Sequence, residues 1–165
     1  MKTRRTLLAS LSALAASLGV AGRAAAQPGV DRPQPRLPTE PMTILGRDGR
    51  RHDFAVEMAI TPDQQTIGLM FRPAIGAEEG MIFDWGRPRE SSMWMRNTLI
   101  PLDMVFIAAD GRIIRIAERT VPLSLTPINS GGPVRATLEL QGGITERLDI
   151  RVGDRVLHRM FGSAP

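Results

Sequence analysis

Regular alternation of apolar and polar side chains begins early in the chain. Phe54, Val56, Met58 and Ile60 interleave with Asp53, Ala55, Glu57 and Ala59, and a period of two predicts a half-buried strand. Met42-Thr43-Ile44-Leu45 reads as a strand before it, with Asp48-Gly49 supplying the turn. The pattern then changes. Thr61 can cap a helix, Pro62 suits its first position and Gln64 completes a capping box. Ile67, Leu69 and Met70 follow at helical spacing, so the chain predicts one short helix over about 62–71, ending before Pro73.

Downstream of the helix the apolar runs are short and heavily punctuated. Gly80–Trp85 and Ser91–Met95 read as strands joined by a Gly86-Arg87-Pro88 turn, with Arg87–Glu90 a solvated loop. Asp103–Ala108 and Arg112–Glu118 form a hairpin across Asp110-Gly111. Residues 121–133, with three Pro and two Gly, read as a long loop. Val134–Leu140 alternates again and stops at Gly142-Gly143. Ile144–Leu148 offers one helical turn, and Arg155–Arg159 a last strand. Short strands, frequent Gly/Pro stops and one good helix predict an α+β domain, mostly antiparallel β: a compact barrel- or sandwich-like sheet with the short helix packed on it. That single β-rich domain is expected over 42–161.

The N-terminal segment is of another kind. Lys2, Arg4 and Arg5 precede a mild apolar run, Leu7–Val20, and Ala24-Ala25-Ala26 offers a small-residue cleavage site. This is the layout of a signal peptide over 1–26, too short and mild for a membrane span. The Arg4-Arg5 pair leaves the twin-arginine and general secretory routes both open. Residues 27–41, with five Pro, read as an extended linker. The leader changes the charge reading. The chain carries 21 basic and 17 acidic residues. Lys2, Arg4, Arg5 and Arg23 are basic and the first 26 residues hold no acid, so the mature chain balances at 17 against 17. Neutrality gives no electrostatic footprint for nucleic acid. The mature protein is expected in the periplasm or secreted, a monomer without a membrane span. The absence of Cys excludes disulfides, thiol nucleophiles and iron–sulfur sites. No phosphate loop, dinucleotide fingerprint or calcium loop occurs, so no cofactor or metal is expected.

One stretch concentrates polar groups among apolar ones: Ser-Ser-Met-Trp-Met-Arg-Asn-Thr-Leu-Ile-Pro-Leu-Asp, residues 91–103. Arg96, Asn97, Thr98 and Asp103 must be paired if buried. They form either a site, with Asp103 as acid or base and Asn97 and Thr98 as donors, or a structured turn whose side chains satisfy the backbone. His52 and His158, near strand ends, are expected to be exposed.

The Trp94-Met95-Arg96-Asn97-Thr98 run followed by Ile100-Pro101-Leu102-Asp103 resembles the domain-of-unknown-function family number 192. Val56–Ala59, Gly68–Arg72, Gly80–Phe83, Asp110-Gly111, Leu138–Leu140 and Gly153-Asp154 extend the resemblance over nearly all of Phe54–Val156. It implies a compact β-rich α+β domain, often exported, with no established activity. Met93 stands where family members often carry Phe, and Gln141-Gly142-Gly143 where many have an Asn-Ala-Gly type turn.

Three functional readings follow. The first is a module that binds a small ligand or an envelope protein, with Arg72 and Arg96 as anchors for an anionic group, Asn97, Thr98 and Asp103 orienting it, and Trp94 and Glu139 completing the site. The second is a hydrolase or transferase dividing acid and base roles between Asp103 and Glu139. The third is a Cu(I) site built from Met70, Met81, Met93, Met95 and Met104, whose alternative role is filling gaps in a core poor in aromatics.

Overall fold

The computed structural model describes residues 31–164. Seven strands form one sheet: β1 (Thr39–Leu45), β2 (Arg51–Ala59), β3 (Glu79–Met93), β4 (Leu102–Ile107), β5 (Ile113–Ala117), β6 (Ile128–Gln141) and β7 (Arg155–Leu157), in the order β5-β4-β6-β3-β2-β1-β7. The β2–β3 pair is parallel and the other pairs are antiparallel. The crossover that parallel pairing requires carries helix α1 (Pro62–Ile67). The sheet curls until its ends approach. An isolated bridge joins Arg112 to Arg155, and the Val156 N–H reaches the Gly111 carbonyl at 2.7 Å. The expected β-rich, barrel-like architecture with one short helix is what forms, as a curled, mixed half-barrel.

Curling gives the sheet two buried faces. Ile44, Val56, Ile82, Val105, Leu138, Leu140 and Val156 fill the side shared by β1 to β7. Met81, Phe83, Met104 and Phe106 alternate with them and pack with Leu69, Met95 and Leu102 on the other. Every residue of β4 is therefore buried, which is why Met104–Ile107 reads as an apolar run instead of an alternation.

Thr61 caps α1 as its sequence predicts, accepting from the Gln64 N–H while the Gln64 side chain accepts from the Thr61 N–H. Helix α2 (Ile144–Arg147) is the expected single turn. Two expectations are corrected by the β3–β6 pair. Gly86-Arg87-Pro88 is not a turn between strands but an irregularity within the 15-residue β3, where pairing with β6 shifts between Asp84 and Arg89. Gly86 takes φ +74°, its N–H bonds to Asp84 Oδ1, and Pro88 stands where the ladder is interrupted. Correspondingly, 128–133 is not loop but the start of β6, because β3 continues far enough to pair with it.

The Pro-rich stretch is docked from Gln34 onward. Gln34 donates to the Gln64 and Gly68 carbonyls, Leu37 N–H to Glu57, and β1 already begins at Thr39. Residues 27–30 and the segment 1–26, expected as a signal peptide, lie outside the described residues. Among the described residues no helix is long and apolar enough to cross a membrane. His158, expected at the surface, is buried, its Nε2 lying 3.0 Å from Glu40 Oε2.

Candidate functional site

Strand β6 runs between β3 and β4 in the middle of the sheet. Its register sets Glu139 opposite Met81 on one side and Met104 on the other, with Thr137 two residues away on the same face. Glu139 is 4% exposed and makes no side-chain hydrogen bond or ion pair among the described residues. Burial alone acts on its carboxyl and raises it from 4.5 to about 8. The group is therefore mostly protonated at neutral pH.

Above Glu139 opens a cleft of about 460 Å³. One wall is α1 and the turn after it. Gln65 pins that wall to the sheet through the Asp84 carbonyl at 2.7 Å and the Ala59 carbonyl at 3.2 Å. Gly68 ends the helix at φ +51°, and a Cβ there would lie 3.0 Å from the Phe83 ring, so both conformation and contact require glycine. Opposite stand two tryptophans. Trp85 stacks on Phe83 with centroids 5.9 Å apart and donates to Thr137 Oγ1 at 3.2 Å. The Arg89 guanidinium lies 4.4 Å from the Trp85 ring centroid, and that of Arg96 5.5 Å from Trp94. Met70, Met93 and Thr98 also line the cleft.

The Trp94–Leu99 segment is held by neighbouring turns. Met95 N–H bonds to the Ser124 carbonyl, Leu123 N–H to that of Thr98, and Phe71 N–H to that of Asn97. These connections bring Trp94, Leu99, Val121, Leu123 and Leu125 to the surface as exposed apolar side chains.

The chain matches the model of the domain-of-unknown-function family number 192, described as uncharacterized ACR, over residues 43–158. The chain belongs to this family. Two solved structures are similar. One is a protein of unknown function from Novosphingobium aromaticivorans DSM 12444, 46% identical, covering 81% of this chain and 94% of its own, with a TM-score of 0.73. The other, from Sinorhizobium meliloti 1021, is provisionally described as a transcription regulator. It is 42% identical and covers 77% of this chain and 98% of its own, with a TM-score of 0.75. No curated protein matches.

The family run Trp94–Asp103 divides in space. Trp94, Arg96, Thr98 and Glu139 line the cleft; Arg72, Asn97 and Asp103 do not. Asp103 accepts from the Arg119 N–H at 2.8 Å, Gly143 N–H at 2.8 Å, Thr145 N–H at 2.9 Å and Thr145 Oγ1 at 2.7 Å. It is the structured-turn alternative realised, tying β4 to α2. Arg72 is buried in a two-pronged pair with Glu57, which also accepts from Arg36 and Leu37. Burial pushes the Glu57 carboxyl up, and the bonds from Arg72 and Leu37 outweigh it, holding the group below its ordinary range. Asn97 adopts φ +55°, which Asn tolerates, and its amide points to Met70 Sδ at 3.8 Å.

Met81, Met95 and Met104 are sealed in the core, and Met95 Sδ accepts from Thr120 Oγ1 at 3.0 Å, so these three methionines behave as packing. The residues that sequence reasoning passed over as site members are Arg89, placed in a solvated loop, and Trp85, Gln65 and Phe83. Arg96 lies beyond the end of β3, in the turn closed by the Thr98 N–H on the Met95 carbonyl at 3.0 Å, so strand periodicity does not place it over Trp94. Nor does periodicity reach Arg89, because the irregularity in β3 re-aims it.

Proposed function

We propose that the protein is an exported module that binds a small ligand in the cleft above Glu139. One observation carries this reading: a carboxyl buried on a central strand, without a protein partner, faces an open cleft walled by tryptophans. Ionisable groups whose values burial shifts and which face a cleft concentrate at functional sites. The cleft's size and mixed lining are those of a small-molecule site. A small-molecule screen read by tryptophan fluorescence tests it: hits are expected, and Glu139→Ala and Trp94→Ala each weaken them at least about tenfold. Hits untouched by both substitutions reject the reading. The signal-like segment 1–26 supports export, and N-terminal sequencing of protein from the periplasmic fraction is expected to begin at Gln27. Charge balance beyond the leader supports a partner other than nucleic acid.

A second reading, docking of an envelope protein, draws on the exposed side chains of Leu99, Val121, Leu123 and Leu125, in and around the turns bonded to the Trp94–Leu99 segment. Leu123→Asp with Leu125→Asp is expected to shift the exported protein from envelope-associated to free fractions. Unchanged fractionation of a folded variant rejects it. The Asp103/Glu139 acid–base pair gains no support, since the two carboxyls occupy opposite faces of the sheet.

A further inference from the structure

The charges lining the cleft narrow the chemistry of what it holds. Three ionisable side chains line it: Glu139 on the floor, and Arg89 and Arg96 on the walls. Both arginines lie over indole faces. Neither is within ion-pair distance of Glu139 among the described residues, whereas Arg72, on the far side of α1 in sequence, is fully matched to Glu57. The cleft thus carries two cations and an acid that do not pair with one another among the described residues.

Each part has a complement. A carboxyl on an apolar floor beside Phe83, Trp85 and the thioethers of Met70 and Met93 suits an ammonium group, which gains both a charge partner and aromatic faces. Guanidiniums at the walls suit a carboxylate. A simple anion would make no charge pair with Glu139, and a simple cation would meet two like charges on entry.

We propose that the ligand is a small zwitterion whose ammonium reaches Glu139 while its carboxylate stays with Arg89 and Arg96. The proposal rests on the binding reading above and specifies it. The proton balance follows. Glu139 is mostly protonated at pH 7, so its carboxyl gives up one proton to solvent when the ammonium pairs with the resulting carboxylate; no covalent bond is made or broken in the ligand.

Calorimetry on the full chain at pH 7, in phosphate and in Tris, reads both affinity and proton release. The probes are glycine, 4-aminobutyrate and 6-aminohexanoate, with acetate, butyrate, butylammonium and glucose as controls. At least one zwitterion is expected to bind about tenfold or more tightly than its matched anion and than butylammonium, and to release close to one proton. Glu139→Gln abolishes that release and weakens binding at least about tenfold, and Arg96→Ala erases the preference over butylammonium. Zwitterions no better than the anions, or proton release that survives Glu139→Gln, overturn the proposal. Binding of acetate, butyrate or glucose that depends on Trp94, with no zwitterion binding, overturns it while sparing the cleft as a binding site. If no probe binds and the fluorescence screen also yields nothing, both readings fall.

Discussion

Asp103 and Glu139 sit on adjacent strands but on opposite faces of the sheet: Asp103 pairs in register with Leu140, and Glu139 with Met104. One carboxyl is saturated by four donors and the other has none. The first belongs to the frame of the domain, the second to its cleft, and substitutions at the two positions separate stability from binding.

Asp103→Asn removes charge-assisted acceptance from three backbone N–H groups and a hydroxyl. A loss of about 2–4 kcal/mol is expected, since hydrogen bonds to charged groups contribute ~1.5–3 kcal/mol each and the amide retains some of them. Urea unfolding monitored by tryptophan fluorescence measures it. Affinity of any cleft ligand should stay within about twofold of the parent.

Glu139 gives the opposite pH behaviour from an ion-paired acid. Its folded value, about 8, lies above the ordinary 4.5, so between them the folded state holds a proton that the unfolded chain has lost. Stability therefore falls as pH rises across that window, with a limiting slope of about 1.4 kcal/mol per pH unit. Glu139→Gln should flatten this slope and make the protein more stable than the parent at pH 8. Unfolding free energies at pH 5, 6.5 and 8 decide the matter.

Glu57 titrates with the other sign. Its carboxyl is held below the usual range, so its contribution is complete above about pH 4.5 and is lost as pH falls through the folded value. Removing its buried partner by Arg72→Ala leaves the carboxylate only the exposed Arg36 and the Leu37 N–H, and the cost is expected to approach the about 3–5 kcal/mol of a broken buried pair. Thermal unfolding measures the loss. A variant that kept its stability but lost ligand would restore Arg72 to the site.

Arg96→Ala and Trp94→Ala should act on the cleft alone. Trp94 is 45% exposed, and surface substitutions usually stay within about 0.5 kcal/mol. Unchanged melting temperatures together with weakened ligand binding are the expected pair of results.

Thr61→Ala removes the hydroxyl half of the α1 capping box. A loss of about 1 kcal/mol is expected in urea unfolding. Because α1 forms one wall of the cleft, ligand affinity should drop modestly with it.

Local chemistry made much of this molecule legible from the chain alone. The capping box at Thr61, the Asp110-Gly111 hairpin, the alternation in β2 and the class of the fold each depend on neighbours a few residues apart. So does the family motif from Trp94 to Asp103. What lay beyond reach depended on partners distant in sequence. Nothing local distinguishes Gly86-Arg87-Pro88 as a turn from the same residues inside a long strand; the 128–133 segment that pairs with β3 decides it.

The same limit governed the site. Period two says that Glu139 faces away from Leu138 and Leu140, and that Asp103 faces away from Met104. It does not say which face a helix covers, or which carboxyl meets four donors and which meets open space. Arg72 looked free to anchor a ligand because Glu57, its partner, belongs to another strand. Side-chain types and periodicity determined what this domain could build. Only the curling of the sheet, which buries both faces and leaves one carboxyl without a mate, decided where its chemistry stands.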